Sequence, residues 1–189
     1  MIAAATAVHA VRSEDPVLRA AAELFYARGI AAVSVQDIRS RAGVSLKSMY
    51  ATYPSKEELV AAYLQRTHEV WMRELRAAID AAAPGGGPSH RQERIAAIFS
   101  WLEAWFAAPD FTGCGIANTR GQAIGERSRE VVREHVSQLE QLCVEVAGEE
   151  DSGRTLLLLV EGAIATAAAT GDAGFAIVAH QAARASVLR

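Results

Sequence analysis

Lysine is scarce in this chain: Lys47 and Lys56 are its only two, and the other seventeen basic residues are arginine. Cysteine is equally rare. Cys114 and Cys143 stand far apart with no CxxC and no Cys/His ligand spacing, which excludes a disulfide framework and gives no metal site. Five prolines and 6% aromatics in an alanine-rich chain, without runs of alternating β-branched residues, exclude a sheet protein and predict an all-α one. No apolar run is long. The longest, Leu156 to Thr170, covers about 15 residues and contains Glu161, too short and too charged to cross a bilayer. The apolar start, MIAAATAVHAV, has no basic residue ahead of it and is broken by Thr6 and His9, so it reads as a disordered arm rather than a signal peptide. No membrane partner is expected, and a cytoplasmic setting is.

Positive charge in excess is missing too. The net charge is −3 over 189 residues. Residues 1–60 carry seven Lys or Arg against six Asp or Glu, and residues 61–189 carry twelve against sixteen. That balance excludes a structural protein that coats DNA nonspecifically, yet leaves one end of the molecule able to approach phosphates.

What is present is a series of helix signals over a chain that is 51% hydrophobic, ample for a core. Asp15-Pro16 starts a first helix and Arg28-Gly29 ends it. Ser34, with Asp37 three residues on, starts a second that ends at Gly43. Ser45 caps a third, Leu46 to Thr52. Three short helices with a tight Gly43-Val44 turn before the last form a helix-turn-helix pattern. Pro54-Ser55-Lys56-Glu57-Glu58 then opens a fourth with a capping box. This helix runs to about Ala82, roughly 40 Å at 1.5 Å per residue, long enough to connect a small head to a second bundle. APGGGPSH, Ala83 to His90, breaks the chain as a loop. Beyond it five further helices are expected: Arg91 to Ala107, Gly115 to about Gly125, Glu126 to Ala147, Gly153 to Thr170 and Gly174 to Leu188. The organisation is a head over 13–60 and a helical bundle over 61–189.

The stretch from Val35 to Leu64, VQDIRSRAGVSLKSMYATYPSKEELVAAYL, resembles the DNA-binding head of TetR-type transcriptional regulators. The likeness rests on Ile38, the turn Ala42-Gly43-Val44-Ser45, Tyr50, Tyr53 and the run Ser55-Lys56-Glu57-Glu58-Leu59. GCGIANT, Gly113 to Thr119, is similar to a segment of the family's ligand domain. The resemblance implies a homodimer, a near-palindromic double-stranded operator and a small-molecule effector. Residue chemistry agrees. Ser45, Leu46, Lys47 and Ser48 form the first turn of the third helix, where short polar groups meet base edges. Tyr50 and Tyr53 are three apart on one flank, suited to phosphate or to the core. Lys56 lies at a helix start, where an ammonium joins free backbone N–H groups as an anion corner. Ser34 and Arg39 offer further phosphate contacts. Members of the family often have a small residue in place of Arg39 and a glycine in place of Lys47, so the operator cannot be inferred from relatives.

In the body, Leu156 to Thr170 and Gly174 to Leu188 are dominated by Ala, Gly, Leu and Val. Small side chains let helices approach closely. The resemblance makes these two helices the dimer interface, and an alanine-rich core would read the same way. Phe99, Leu102, Trp105 and their neighbours form a wide apolar stripe, with Trp101 at its edge. With Trp71, and with Asn118, Arg120 and Glu161 as polar lining, they are candidates for an apolar, aromatic effector pocket, though such a stripe is also ordinary core. Cys114, His135 and Glu161 are the only nucleophile, base and acid worth testing as a catalytic set. No spacing forces them together and no glycine-rich phosphate loop accompanies them, so neither an enzyme nor a cofactor is expected.

Overall fold

Each of the first three helices is bounded by chemistry written in its flanking residues. In this computed structural model, which describes residues 14–84, 90–119, 122 and 124–187, α1 is Pro16–Arg28, α2 Val35–Ala42 and α3 Leu46–Thr52. Asp15 Oδ1 accepts from the backbone N–H groups of Val17 at 2.8 Å and Leu18 at 3.4 Å, so the donors left over at the start of α1 are satisfied. Ser34 and Asp37 close a reciprocal capping box on α2, with Asp37 N donating to Ser34 Oγ at 3.1 Å and Ser34 N donating to Asp37 Oδ2 at 2.9 Å. The bond from the Ser34 hydroxyl comes first among the causes that hold the Asp37 carboxyl below its usual range. Gly43, at φ 68°, supplies the left-handed turn between α2 and α3 that a side chain would strain.

After α3 come α4 Lys56–Ala82, α5 Arg91–Phe106, the 3-10 turn Ala117–Thr119, α6 Glu126–Ala147, α7 Glu150–Thr170 and α8 Phe175–Ser186. The described residues are all-α, with no strand among them. They fall into two compact units. One consists of 14–71 and 114–134, and the other of 72–113 and 135–187; α4 and α6 each contribute to both. The unit holding the head is therefore larger than 13–60. The expected N-terminal arm, most of the loop at 85–89 and Arg120 lie outside the described residues.

Three expectations need correction. Gly115 to Gly125 is not a helix: its described residues form turns and a single 3-10 turn. Glycines at 113, 115, 121 and 125 make continuous helix costly there. The capping box of α4 is half formed. Ser55 Oγ accepts from Glu58 N at 3.1 Å, but the Glu58 carboxylate pairs with Arg127, a charge-assisted bond that outcompetes the reach back to a neutral N–H. Finally, α7 starts at Glu150, ahead of Gly153, and with 21 residues and an 18-residue window of mean hydropathy 1.2 it is long and apolar enough to cross a membrane by length and composition alone. Here it packs on α5 and α8, burying Leu156, Val160, Ala163, Ile164 and Ala167.

In the unit holding the head, Phe25 of α1 meets Tyr63 of α4 with ring centroids 5.4 Å apart. The Tyr63 hydroxyl lies 2.6 Å from where a Cβ on Gly115 would sit, so this glycine admits the ring. In the other unit α5, α7 and α8 pack on one another. There a Cβ on Gly153 would stand 2.5 Å from Val144 Cα, so Gly153 lets α7 approach α6 closely. Arg94, largely buried, donates to Glu145 Oε1 at 2.7 Å and ties α5 to α6.

Candidate nucleic-acid interface

Helix α3 has seven residues, and only Met49 is buried. Leu46, Lys47, Ser48, Tyr50, Ala51 and Thr52 are all exposed, Leu46 at 39% and Tyr50 at 42%. A helix this short is unstable alone, so its two ends need fastening. At the start, Ser48 N donates to Ser45 Oγ at 3.0 Å. At the end, the Tyr53 hydroxyl donates to Asp15 Oδ2 at 2.6 Å, across 38 residues of sequence. The carboxylate that caps α1 thus also fixes the exit of α3. Burial first, and then the Asp15 carboxylate, push the Tyr53 phenol well above its usual range.

These bonds sort the candidate contacts. Lys47, Ser48 and Tyr50 lie open, their side chains without hydrogen bonds or ion pairs to other described residues. Arg39 Nε donates to Gln36 Oε1 at 2.9 Å, a neutral partner that steadies the guanidinium without cancelling its charge. Arg41, by contrast, is paired with Glu23 at 2.6 Å. Ser34 has its hydroxyl committed to Asp37 at 2.7 Å. Tyr53 spends its single O–H on Asp15, leaving no donor for a phosphate. Lys56 Nζ donates to Ile30 O at 2.7 Å, one of its three N–H bonds, so its charge is tethered at the base of the head.

The candidate effector residues divide between the units. Trp71 and Asn118 belong with the head; Trp71 is buried and Asn118 exposed. Phe99, Trp101, Leu102, Trp105 and Glu161 belong to the other unit, where the first four are buried and Glu161 is half-buried. Trp105, 0% exposed, lies 5.5 Å from Trp101 and 5.2 Å edge-on from Phe111 between ring centroids, so an aromatic cluster fills this part of the core. Burial first, and then the Glu161 charge, push the Cys143 thiol up to about 12, which keeps it an inert thiol. Cys114 is also buried, and neither cysteine is disulfide-bonded. No group of three His, Cys, Asp or Glu among the described residues is placed to hold a metal ion.

Two features were not read from the sequence. Gln36, which steadies Arg39, looked like one more polar surface residue. His180 of α8 stacks on Phe99 with centroids 5.6 Å apart and planes 19° apart, and the only signal for it was a lone histidine in an alanine-rich helix.

Residues 17–63 match the family model described as "Bacterial regulatory proteins, tetR family". Among solved structures, the chain is similar to a TetR-family transcriptional regulator from Streptomyces coelicolor, with a TM-score of 0.77 and 22% identity over 92% of this chain and 93% of that one. A Streptomyces avermitilis protein assigned as a tetR-type transcriptional regulator gives a TM-score of 0.73 and 26% identity over 91% and 96%. E. coli NemR in its reduced form gives 0.79 and 17% over 91% and 95%. Proteins of this kind are transcription factors rather than enzymes. Residues 17–63, in which α3 is fastened and exposed, thus belong to the tetR family of bacterial regulatory proteins, and the chain shares the fold of TetR-family transcriptional regulators over nine-tenths of its length.

Proposed function

We propose that this regulator is a ligand-responsive repressor: a homodimer that holds a near-palindromic operator and leaves it when a small apolar or aromatic molecule binds. Residues 13–60 do the DNA work, and 61–189 take the effector and the second subunit. The observation that carries the reading is α3, a helix that buries Met49 alone and offers everything else to a partner. Ser45, Leu46, Lys47 and Ser48 then meet base edges in the major groove, and Tyr50, Arg39 and the backbone around Ser34 meet phosphates. Lys56 keeps two N–H donors for a phosphate, and Tyr53 acts by positioning α3.

Dimerisation is supported by the outer faces of α7 and α8. Leu158, Ile177 and Val178 are 72%, 46% and 58% exposed, and Gly162, one turn after Leu158 on α7, has open space around it. An apolar surface of this kind favours a second copy in the same orientation about a two-fold axis. Two such heads read half-sites one helical turn apart, or a multiple of that. Release is supported by the buried aromatic cluster, which sits where an apolar effector gains most from leaving water. Its differential affinity for the non-binding conformation sets how far it shifts the equilibrium.

The test starts from operator fragments selected from the source genome, with binding followed by fluorescence anisotropy and mass measured in solution. Tyr50→Phe weakens all sequences alike, whereas Lys47→Ala costs about 1–3 kcal/mol at one base position and relaxes preference there. A stable monomer at micromolar concentration, or variants that bind like the parent, would refute the reading.

A further inference from the structure

His180 carries a feature that the fold alone does not explain. Its Nε2 is buried and has no hydrogen-bond partner among the described residues. A buried polar atom left unsatisfied is destabilising, and native cores contain few. The ring is held in place: it lies nearly parallel to Phe99 across the contact between α8 and α5. Burial, and then Arg184 one turn further along α8, hold the imidazole below its usual range, so near neutral pH it is an uncharged ring.

Nε2 is covered in the monomer although the residue is half-buried as a whole, and the ring that faces the imidazole is Phe99 of α5, which points to the contact between α5 and α8 as the place where a partner would sit. We propose that His180 Nε2 is the polar anchor for an uncharged aromatic effector bearing a hydroxyl group, seated beside Phe99 between α5 and α8. The inference rests on the reading of this protein as ligand-responsive and adds the chemistry of the ligand. A neutral imidazole accepts from a hydroxyl, the stacked Phe99 ring suits a planar body, and the Arg184 charge that depresses the imidazole also disfavours a cationic ligand. The unsatisfied atom also gives direction to the switch. A conformation in which the helices part to admit the ligand gains a hydrogen bond that the closed one lacks, which is the differential affinity a population shift requires.

The experiment uses the full chain with two probes of nearly the same shape, p-cresol and toluene, read by tryptophan fluorescence and by release of the selected operator. The parent is expected to bind p-cresol about ten-fold more tightly than toluene, and His180→Phe, which keeps the ring and the stack, to abolish that difference. Because the substitution removes an orphaned polar atom, the melting temperature of the unliganded variant is expected to match or exceed the parent's, and His180→Gln to restore part of the preference for p-cresol. If both probes bind the parent equally and release the operator, the anchor is refuted while ligand responsiveness stands. If His180→Phe keeps the difference, or lowers the melting temperature, the anchor is refuted as well, since Nε2 is then idle or serves the fold. Binding of neither probe overturns the anchor and leaves operator release by other ligands to be judged separately.

Discussion

Replacing Met49 with alanine tests how α3 is held. Met49 is the single buried residue of the helix, 2% exposed. The substitution removes three heavy atoms from the core, which at about 0.8 kcal/mol per buried methylene-sized group amounts to roughly 2.4 kcal/mol. A cavity term is added to this, and the observed range for Met→Ala is about 2–5 kcal/mol. The caps at Ser45 and Tyr53 are untouched, so the loss falls on the docking of α3 and not on its start or end. Amide exchange reads this directly. Tyr53 N donates to Met49 O at 2.9 Å, and protection of the amides at the end of α3 is expected to fall about 30- to 150-fold, the equivalent of about 2–3 kcal/mol at 1.4 kcal/mol per decade. Amides in α7 are expected to change far less. Operator affinity falls by less than the protection does, because the docked form stays in the majority until its whole margin is gone. Met49→Leu conserves volume and serves as the control. An equal fall in every helix, or no fall at all, would refute a locally anchored α3.

Two further expectations follow from the packing and the titrating groups. Gly153→Ala places a Cβ 2.5 Å from both Val144 Cα and Cγ2, so an overpacking cost of about 3 kcal/mol exceeds the ~1 kcal/mol gained in helix propensity. The net loss of about 2 kcal/mol lowers the melting temperature by about 4–8 °C at fixed protein concentration; a variant that melts at or above the parent refutes the close approach. Tyr53, Tyr63 and Cys143 all have raised folded-state values. Their contribution is complete below their unfolded values, near pH 9–10, and is lost as pH climbs through the raised ones. The urea midpoint is therefore expected to fall above about pH 9–10, and less steeply in Tyr63→Phe; parallel pH profiles for parent and variant count against the assignment.

The elements most legible in the sequence are those whose causes are local. Asp15-Pro16, Ser34 with Asp37, Gly43 and Ser45 each act within four residues, and α1, α2 and α3 begin and end where those residues put them. The half-formed box at Ser55 was misread because the competitor for Glu58 is Arg127, 69 residues away. Tyr53 was ambiguous for the same reason: its bond to Asp15 spans 38 residues, and a phenol looks alike in sequence whether its hydroxyl meets a phosphate or a carboxylate. Between Gly115 and Gly125 the local signal is the glycines, which favour the turns found there over the continuous helix that the polar and apolar pattern suggests. In the body, apolar periodicity found the stripe on α5 but not the stacking of His180 on Phe99, because periodicity locates faces and not the atoms across them.

The pairing of Arg41 with Glu23 bears on how the protein finds its site. Residues 14–60 carry six basic side chains, Arg19, Arg28, Arg39, Arg41, Lys47 and Lys56, against six acidic ones. With Arg41 neutralised and Lys47 turned to base edges, Arg39 and Lys56 are the cations that meet phosphates, Lys56 through the two donors that Ile30 does not hold. If each head of a dimer neutralises about two phosphates, some four counter-ions are released, and affinity varies as roughly the inverse 3.6 power of salt, about 150-fold between 50 and 200 mM. Proteins with six to ten such contacts lose about 10³- to 10⁵-fold over that interval. A protein so lightly held by random sequence spends little time sliding along the chromosome and reaches its operator mainly by collision from solution. Its hold there then depends on hydrogen bonds and shape, so a few extra copies per cell raise occupancy of the operator instead of being absorbed by the rest of the genome.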